Sequence, residues 1–287
     1  MLPFILAGIV IGSLYALSGV GMLVLYRTTG VLNFGYGALG AAAAMIAWQL
    51  IESLLQPLLA LVLGVLVAAA LSFLFGLIAG PFLARTTELA KATATLGLAL
   101  ILLGLQWFLW NDKARTLTLP TDLVGFPIAG SYITLTQLVS LAVVLLTVAG
   151  TSVFLRVTGT GVAMRALASD RDLTAMLGVG VRRIELQAWA VSGALAGVSG
   201  LLLASQTQLE PGFLTFLVIP ALSSVVIGRF SSLLGTLLGG IAVGLVQSLA
   251  SYFPATSAFS DAAPFVVAVL VILYLQRRKV VSIEVAR

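Results

Sequence analysis

All the formally charged residues of this 287-residue chain, 15 basic and 10 acidic, lie between long apolar runs or at their ends. Nine such runs can be drawn: Leu2–Tyr26, Val31–Ile51, Pro57–Ala84, Ala92–Trp110, Tyr132–Leu155, Ile184–Gln206, Gly212–Gly228, Leu233–Tyr252 and Ala262–Gln276. A helix needs roughly 20 apolar residues to cross the hydrocarbon core. In lipid, backbone polar groups must pair within the segment or within a closed barrel. These runs lack the alternation of barrel strands. The expected fold class is therefore all-α: a polytopic transmembrane helical bundle of about eight to nine crossings, forming a single domain over residues 1–287. The composition agrees, because only 9% of residues are charged, against about 25% in a soluble domain. The seventh and ninth runs are short, and the 212–252 region either crosses twice or partly re-enters around Arg229. Leu2 onward lacks the basic start and small-residue cleavage site of a signal peptide, so it reads as a retained first helix.

Charge distribution orients the bundle. With nine crossings and an external N-terminus, the inside receives Arg27, Arg85, Lys91, Arg156, Arg165, Arg171, Arg182, Arg183, Arg229, Arg277, Arg278, Lys279 and Arg287. The outside receives only Lys113 and Arg115. Acidic residues divide evenly, as expected of groups that carry little orienting information. The positive-inside rule thus predicts a cytosolic C-terminus, an external loop at 111–130 that caps the outer face, and a cytosolic segment at 156–183. The net charge of +5 follows from this topology and implies contact with lipid rather than nucleic acid.

Absences narrow the chemistry. With no cysteine and no histidine, disulfides, thiolate metal sites and histidine acid–base catalysis are excluded. No glycine-rich phosphate-binding loop is present, so the chain is not expected to hydrolyse ATP by itself. No ionisable side chain sits in the middle of a run, which argues against proton coupling. Energy for uphill transport would then come from outside this chain. Sodium coupling through carbonyls and hydroxyls stays compatible with the pattern.

The polar residues inside the runs are neutral: Thr93, Thr95, Gln106, Ser192, Ser199, Ser223, Ser224 and Gln247. Isolated hydroxyls there commonly bond the preceding turn. Asn33 differs, since an amide in lipid needs several partners. In Asn33-Phe34-Gly35-Tyr36-Gly37, after Gly30, it marks either a helix break facing a cavity or a structural cap. Asn33, Phe34, Tyr36, Thr93, Thr95 and Ser223 are the candidate substrate path. Five Gly-xxx-Gly pairs, such as Gly8/Gly12 and Gly240/Gly244, serve close packing within the chain or a subunit seam.

The 156–183 segment gathers five arginines and two aspartates. Thr158-Gly159-Thr160-Gly161 should stop one helix and cap the next. Ser169-Asp170-Arg171-Asp172 fits a capping box, with Ser169 as the cap and Asp172 reaching back. Gly178 is placed to end the second short helix in the left-handed conformation. The segment is either a solvated loop that holds phospholipid headgroups or a knob that docks into another protein.

Three blocks of sequence resemble the permease subunits of branched-chain amino acid ABC importers, the LivH type. They are Gly12-Ser13-Leu14-Tyr15-Ala16-Leu17 with Gly30–Gly37; Gly161-Val162-Ala163-Met164-Arg165-Ala166 with Asp170, Gly178-Val179 and Ala194–Gly200; and Val226-Ile227-Gly228 through Ser231 and Gly235 to Leu238-Gly239-Gly240. The chain departs from the family at Tyr36, where histidine is common, and at Leu233–Leu234, where a proline is usual. The resemblance implies a non-catalytic membrane subunit of an importer, multi-pass in the bacterial inner membrane. Its partners would be a second, non-identical permease, two cytosolic ATPases that bind ATP and magnesium, and an extracytoplasmic solute-binding protein. No cofactor is implied in this chain. Arg165, Ser169, Asp170, Asp172, Leu173 and Gly178 would form the ATPase coupling helix. A stand-alone facilitator for small neutral solutes such as urea or amides is the alternative.

Overall fold

A computed structural model describes residues 1–84, 86–111, 113–128, 131–254 and 256–284. Arg85, Asp112 and Arg287, which entered the charge count, lie outside the described residues. Among the described residues the architecture is all-helical apart from one β-hairpin. Among the described residues, six helices are long and apolar enough to cross a membrane: α1 (Leu2–Thr29), α3 (Pro57–Leu83), α4 (Glu88–Trp110), α5 (Leu135–Val157), α8 (Val181–Gln206) and α11 (Leu233–Tyr252). Between them stand α2 (Tyr36–Glu52), α6 (Gly159–Ser169), α7 (Arg171–Met176), α9 (Pro211–Phe216) and α10 (Val218–Ile227), and α12 (Ala263–Glu284) closes the chain.

Helix α1 is the axis of the bundle. Its most apolar window is 89% buried, although the helix is hydrophobic all round. It packs on α8, α10 and α11. Association in lipid relies on close packing rather than on exclusion of water, and glycines allow the approach. Gly12 lies against the backbone of Gly240 and Ile241, and Gly240 against Ala16. Gly8 faces Leu245 while Gly19 faces Thr236, so α1 and α11 run antiparallel. A second antiparallel seam joins α3 to α8, where Gly197 meets Val65, Gly193 meets Ala69, and Ser72 Oγ donates to Trp189 O at 2.7 Å. These Gly-xxx-Gly pairs serve packing within the chain.

Gly30 closes α1 in the left-handed region (φ 68) and α2 starts at Tyr36, so the second run opens with the helix break expected around Asn33. Two other runs differ from expectation. The fifth run was drawn from Tyr132. Instead β1 (Gly125–Ile128) and β2 (Ser131–Thr134) form an antiparallel hairpin, and Thr134 caps α5 through the Gln137 N–H. The seventh run divides at Leu217 into α9 and α10. Pro220, four residues after Phe216, has no N–H to close the next turn, which favours the interruption.

Candidate functional site: two interrupted helices and a surface helix pair

Between α1 and α2 the chain runs non-helically through Val31–Gly35. Thr95 of α4 holds this passage. Its Oγ1 accepts from Phe34 N at 3.2 Å and lies 3.1 Å from Leu32 O, so one hydroxyl serves two groups that a helix would have paired. Below it Lys91, largely buried, reaches Gly30 O at 3.4 Å and pairs with Glu88 at 2.8 Å. Asn33 is fully buried, and its Oδ1 accepts from Gly35 N at 2.9 Å. Asn33 therefore shapes the turn just ahead of the Gly35 N-cap, and its buried amide nitrogen has no partner among the described residues.

The start of α2 meets the other interrupted segment. Gly37 lies so close to the Leu214 and Thr215 carbonyls that a side chain there would strike backbone. The N-terminal end of α2 thus abuts the C-terminal end of α9, and the positive end of one helix faces the carbonyls of the other. Beside this junction is a cavity of about 10 Å³ lined by Ser18, Tyr36, Gly40, Ser199 and Leu217 among others. Its volume is about that of a single water. The Tyr36 hydroxyl is buried beside Ser199 without a hydrogen bond of ordinary geometry. Across Leu217 lies a second cavity of about 300 Å³, lined mainly by Phe213, Phe216, Ile219, Pro220 and Phe265, with Tyr15 and Gln247 as its polar edge. Tyr15 Oη donates to Gln247 Oε1 at 2.9 Å. The broken helix α9–α10 stands between the two cavities.

Asn33, Phe34, Tyr36 and Thr95 are thus brought together. Thr93 is exposed and bonds back to Leu89 O. Ser223 stands apart from that cluster and ties α10 to α12 through Pro264 O at 3.0 Å. Three contributors stand outside the candidate path: Lys91, the cavity-lining aromatics, and Gln106, whose amide donates to Ala38 O at 3.2 Å. The Phe216–Pro220 spacing was the signal for the break.

On the surface, Thr158 caps α6 through Gly161 N at 3.0 Å, as expected. The cap of α7 is Asp170, not Ser169. Asp170 is extended (φ −155, ψ 113) and accepts from Leu173 N at 2.9 Å. Ser169 remains the last residue of α6, its hydroxyl turned back to Arg165 O. A carboxylate one residue later caps equally well and also faces the positive helix end, so the serine is left in the preceding helix. Asp172 lies in the first turn of α7. Gly178 has φ 82, the left-handed stop that was expected. Arg165, Asp170, Asp172 and Leu173 are exposed, and Met176 and Leu177 are 82% and 75% exposed.

Arg115 stacks over Trp48 and pairs its backbone with Leu209, two residues before α9.

A LivH described as a probable branched-chain amino acid transport permease protein, from Methanocaldococcus jannaschii, is 29% identical over 259 residues, 87% of this chain and 81% of the relative. The high-affinity branched-chain amino acid transport system permease protein LivH of Escherichia coli K12 is 26% identical over 285 residues, 93% of this chain and 91% of the relative. A solved inward-facing ABC transporter shares the fold with a TM-score of 0.55 at 21% identity, covering 96% of this chain and 85% of that one. Residues 4–275 match the family described as branched-chain amino acid transport system, permease component, and the chain belongs to that family.

Proposed function

We propose that the chain lines the translocation path of an ABC importer of the bacterial inner membrane for branched-chain amino acids or a similar small amphipathic solute. In this reading α2, the joined α9–α10 segment and α12 also cross, which gives nine crossings with an external N-terminus. The antiparallel α1–α11 and α3–α8 seams support that alternation. A second permease, two cytosolic ATPases and an extracytoplasmic solute-binding protein complete the assembly. The chain itself is non-catalytic, and ATP and magnesium stay with the ATPases.

The observation that carries the reading is the α6–α7 pair. Asp170 and Gly178 hold a six-residue helix that presents Leu173, Met176 and Leu177 outward at the end of the bundle. An apolar tip on a fixed stalk is suited to seat in a groove of another protein. ATP-driven movement of that partner would tilt α6–α7 and change the meeting of α2 with α9. The path follows Asn33, Phe34, Tyr36 and Thr95 to the break at Leu217. The cavity beyond it pairs aromatic walls with one polar edge, which matches an aliphatic side chain carried by a polar backbone.

The test is leucine uptake by the complete transporter in proteoliposomes, measured beside ATP hydrolysis. Gly178→Val puts a β-branched residue into a left-handed site at about 1–2 kcal/mol, and no neighbour lies within 4 Å of a side chain there. Uptake per ATP should fall several-fold, with thermal stability lowered by no more than that strain. An unchanged ratio in Gly178→Val and Asp170→Ala together would refute the docking role. Leucine passage through the isolated chain would favour the stand-alone facilitator.

A further inference from the structure

Where α3 ends and α8 begins, a cavity of about 670 Å³ opens at the edge of the bundle. Its floor is apolar: Gly76, Gly80, Phe82, Leu186 and the buried Trp189. Its rim is charged by Arg171, Arg182 and Glu185. Glu185 is occupied by Arg171, whose Nε and Nη2 both donate to Oε1 at 3.1 and 3.0 Å. That pair fixes the Arg171 guanidinium at the mouth of the cavity. Arg182 makes no ion pair among the described residues. No side chain caps α8 at Gly180, so the positive end of that helix opens at the same rim.

We infer that this cavity binds one anionic phospholipid, with the phosphate at Arg171 and Arg182 and an acyl chain on the Gly76–Gly80 floor. Charge and shape both point to this occupant. The rim carries a net positive charge after its one carboxylate is counted. The floor continues onto the exposed apolar face of α3, which includes Phe73, Leu77 and Phe82. Basic pockets between membrane helices take anionic headgroups. A free phosphate would leave the floor empty, and a zwitterionic lipid would bring its own cation to the rim. The inference requires that α3 and α8 span the membrane, not a particular direction of crossing.

Two substitutions probe the two ends without disturbing contacts. Arg182→Gln removes the unpaired rim charge. Gly80→Phe fills the floor, where an added Cβ meets nothing within 4 Å. The complete transporter is exchanged into nanodiscs of phosphatidylglycerol or phosphatidylcholine, then examined by native mass spectrometry for retained lipid. Wild type should retain phosphatidylglycerol and not phosphatidylcholine. Each variant should retain less, by about fivefold for the loss of one charge. Equal retention of both lipids would overturn the inference, as would unaltered retention in both variants. So would full displacement by millimolar inorganic phosphate, which would make the site one for phosphate alone. Retention seen only without the ATPases would assign the cavity to the protein interface and also refute it.

Discussion

Replacing Gly240 with alanine should separate the two helices that hold the bundle together. A Cβ at Gly240 would stand 2.6 Å from Ala16 Cα and 2.7 Å from Ala16 Cβ. Carbon atoms rest about 3.5–4.0 Å apart, so α1 and α11 must part by about 1 Å. Backbone on α1 cannot rotate out of the way, and neighbouring contacts along Gly8, Gly12 and Thr236 loosen together. A gap of that size forfeits about a quarter to a half of each pair's attraction. The expected cost is about 2–3 kcal/mol, within the range measured for overpacked cores. Gly104→Ala on α4 and Gly150→Ala on α5 are the controls, since nothing lies within 4 Å of a Cβ at either. They should be neutral, or stabilise by up to about 1 kcal/mol through helix propensity. Thermal unfolding of the three proteins in one nanodisc preparation gives the comparison. If Gly240→Ala melts with Gly104→Ala, the seam does not depend on glycine and the account of α1 as the packed axis fails.

Thr95→Val keeps the shape of its side chain but leaves Phe34 N without its acceptor, at about 1–3 kcal/mol; melting temperature and leucine uptake should both fall. Tyr36→Phe removes a buried hydroxyl that lacks a hydrogen bond of ordinary geometry, so stability should hold or rise, and a marked loss would reveal a strong partner for that hydroxyl. Asp170→Ala should speed amide exchange in 171–176 through loss of a cap worth about 1 kcal/mol, whereas Ser169→Ala should leave it unchanged; the reverse order would restore the serine as cap.

The long helices were legible because each combines length, continuous apolarity and charges at its ends. Gly178 was legible too, since a glycine after a short helix has one common use. The cap of α7 was ambiguous: Ser169 and Asp170 satisfy the same local rule, and packing of Ser169 against Arg165 O decides between them. The hairpin at 125–134 was hidden because Tyr132 and Ile133 read as the start of an apolar helix. Within the candidate site, Asn33 and Thr95 stood out as polar residues in apolar runs. Their relation did not, because it joins residues 61 positions apart, as Phe34 N and Thr95 Oγ1 show. The aromatic cavity was invisible, since phenylalanines in a membrane helix look alike whether they face lipid or a void.

The α1–α11 seam also dictates an order of assembly. Helix α1 is made long before α11, yet the glycine face it presents is covered by residues from Thr236 to Ser248. Until those residues are synthesised and inserted, the Gly8–Gly12 face can meet only lipid or a temporary neighbour. Contacts of such separation close late, so the bundle acquires its axis only once α11 is in place. A chain cut before Leu233 would keep most of its spans and still lack the helix that locks the first of them, which makes it a substrate for membrane proteases rather than a smaller working permease.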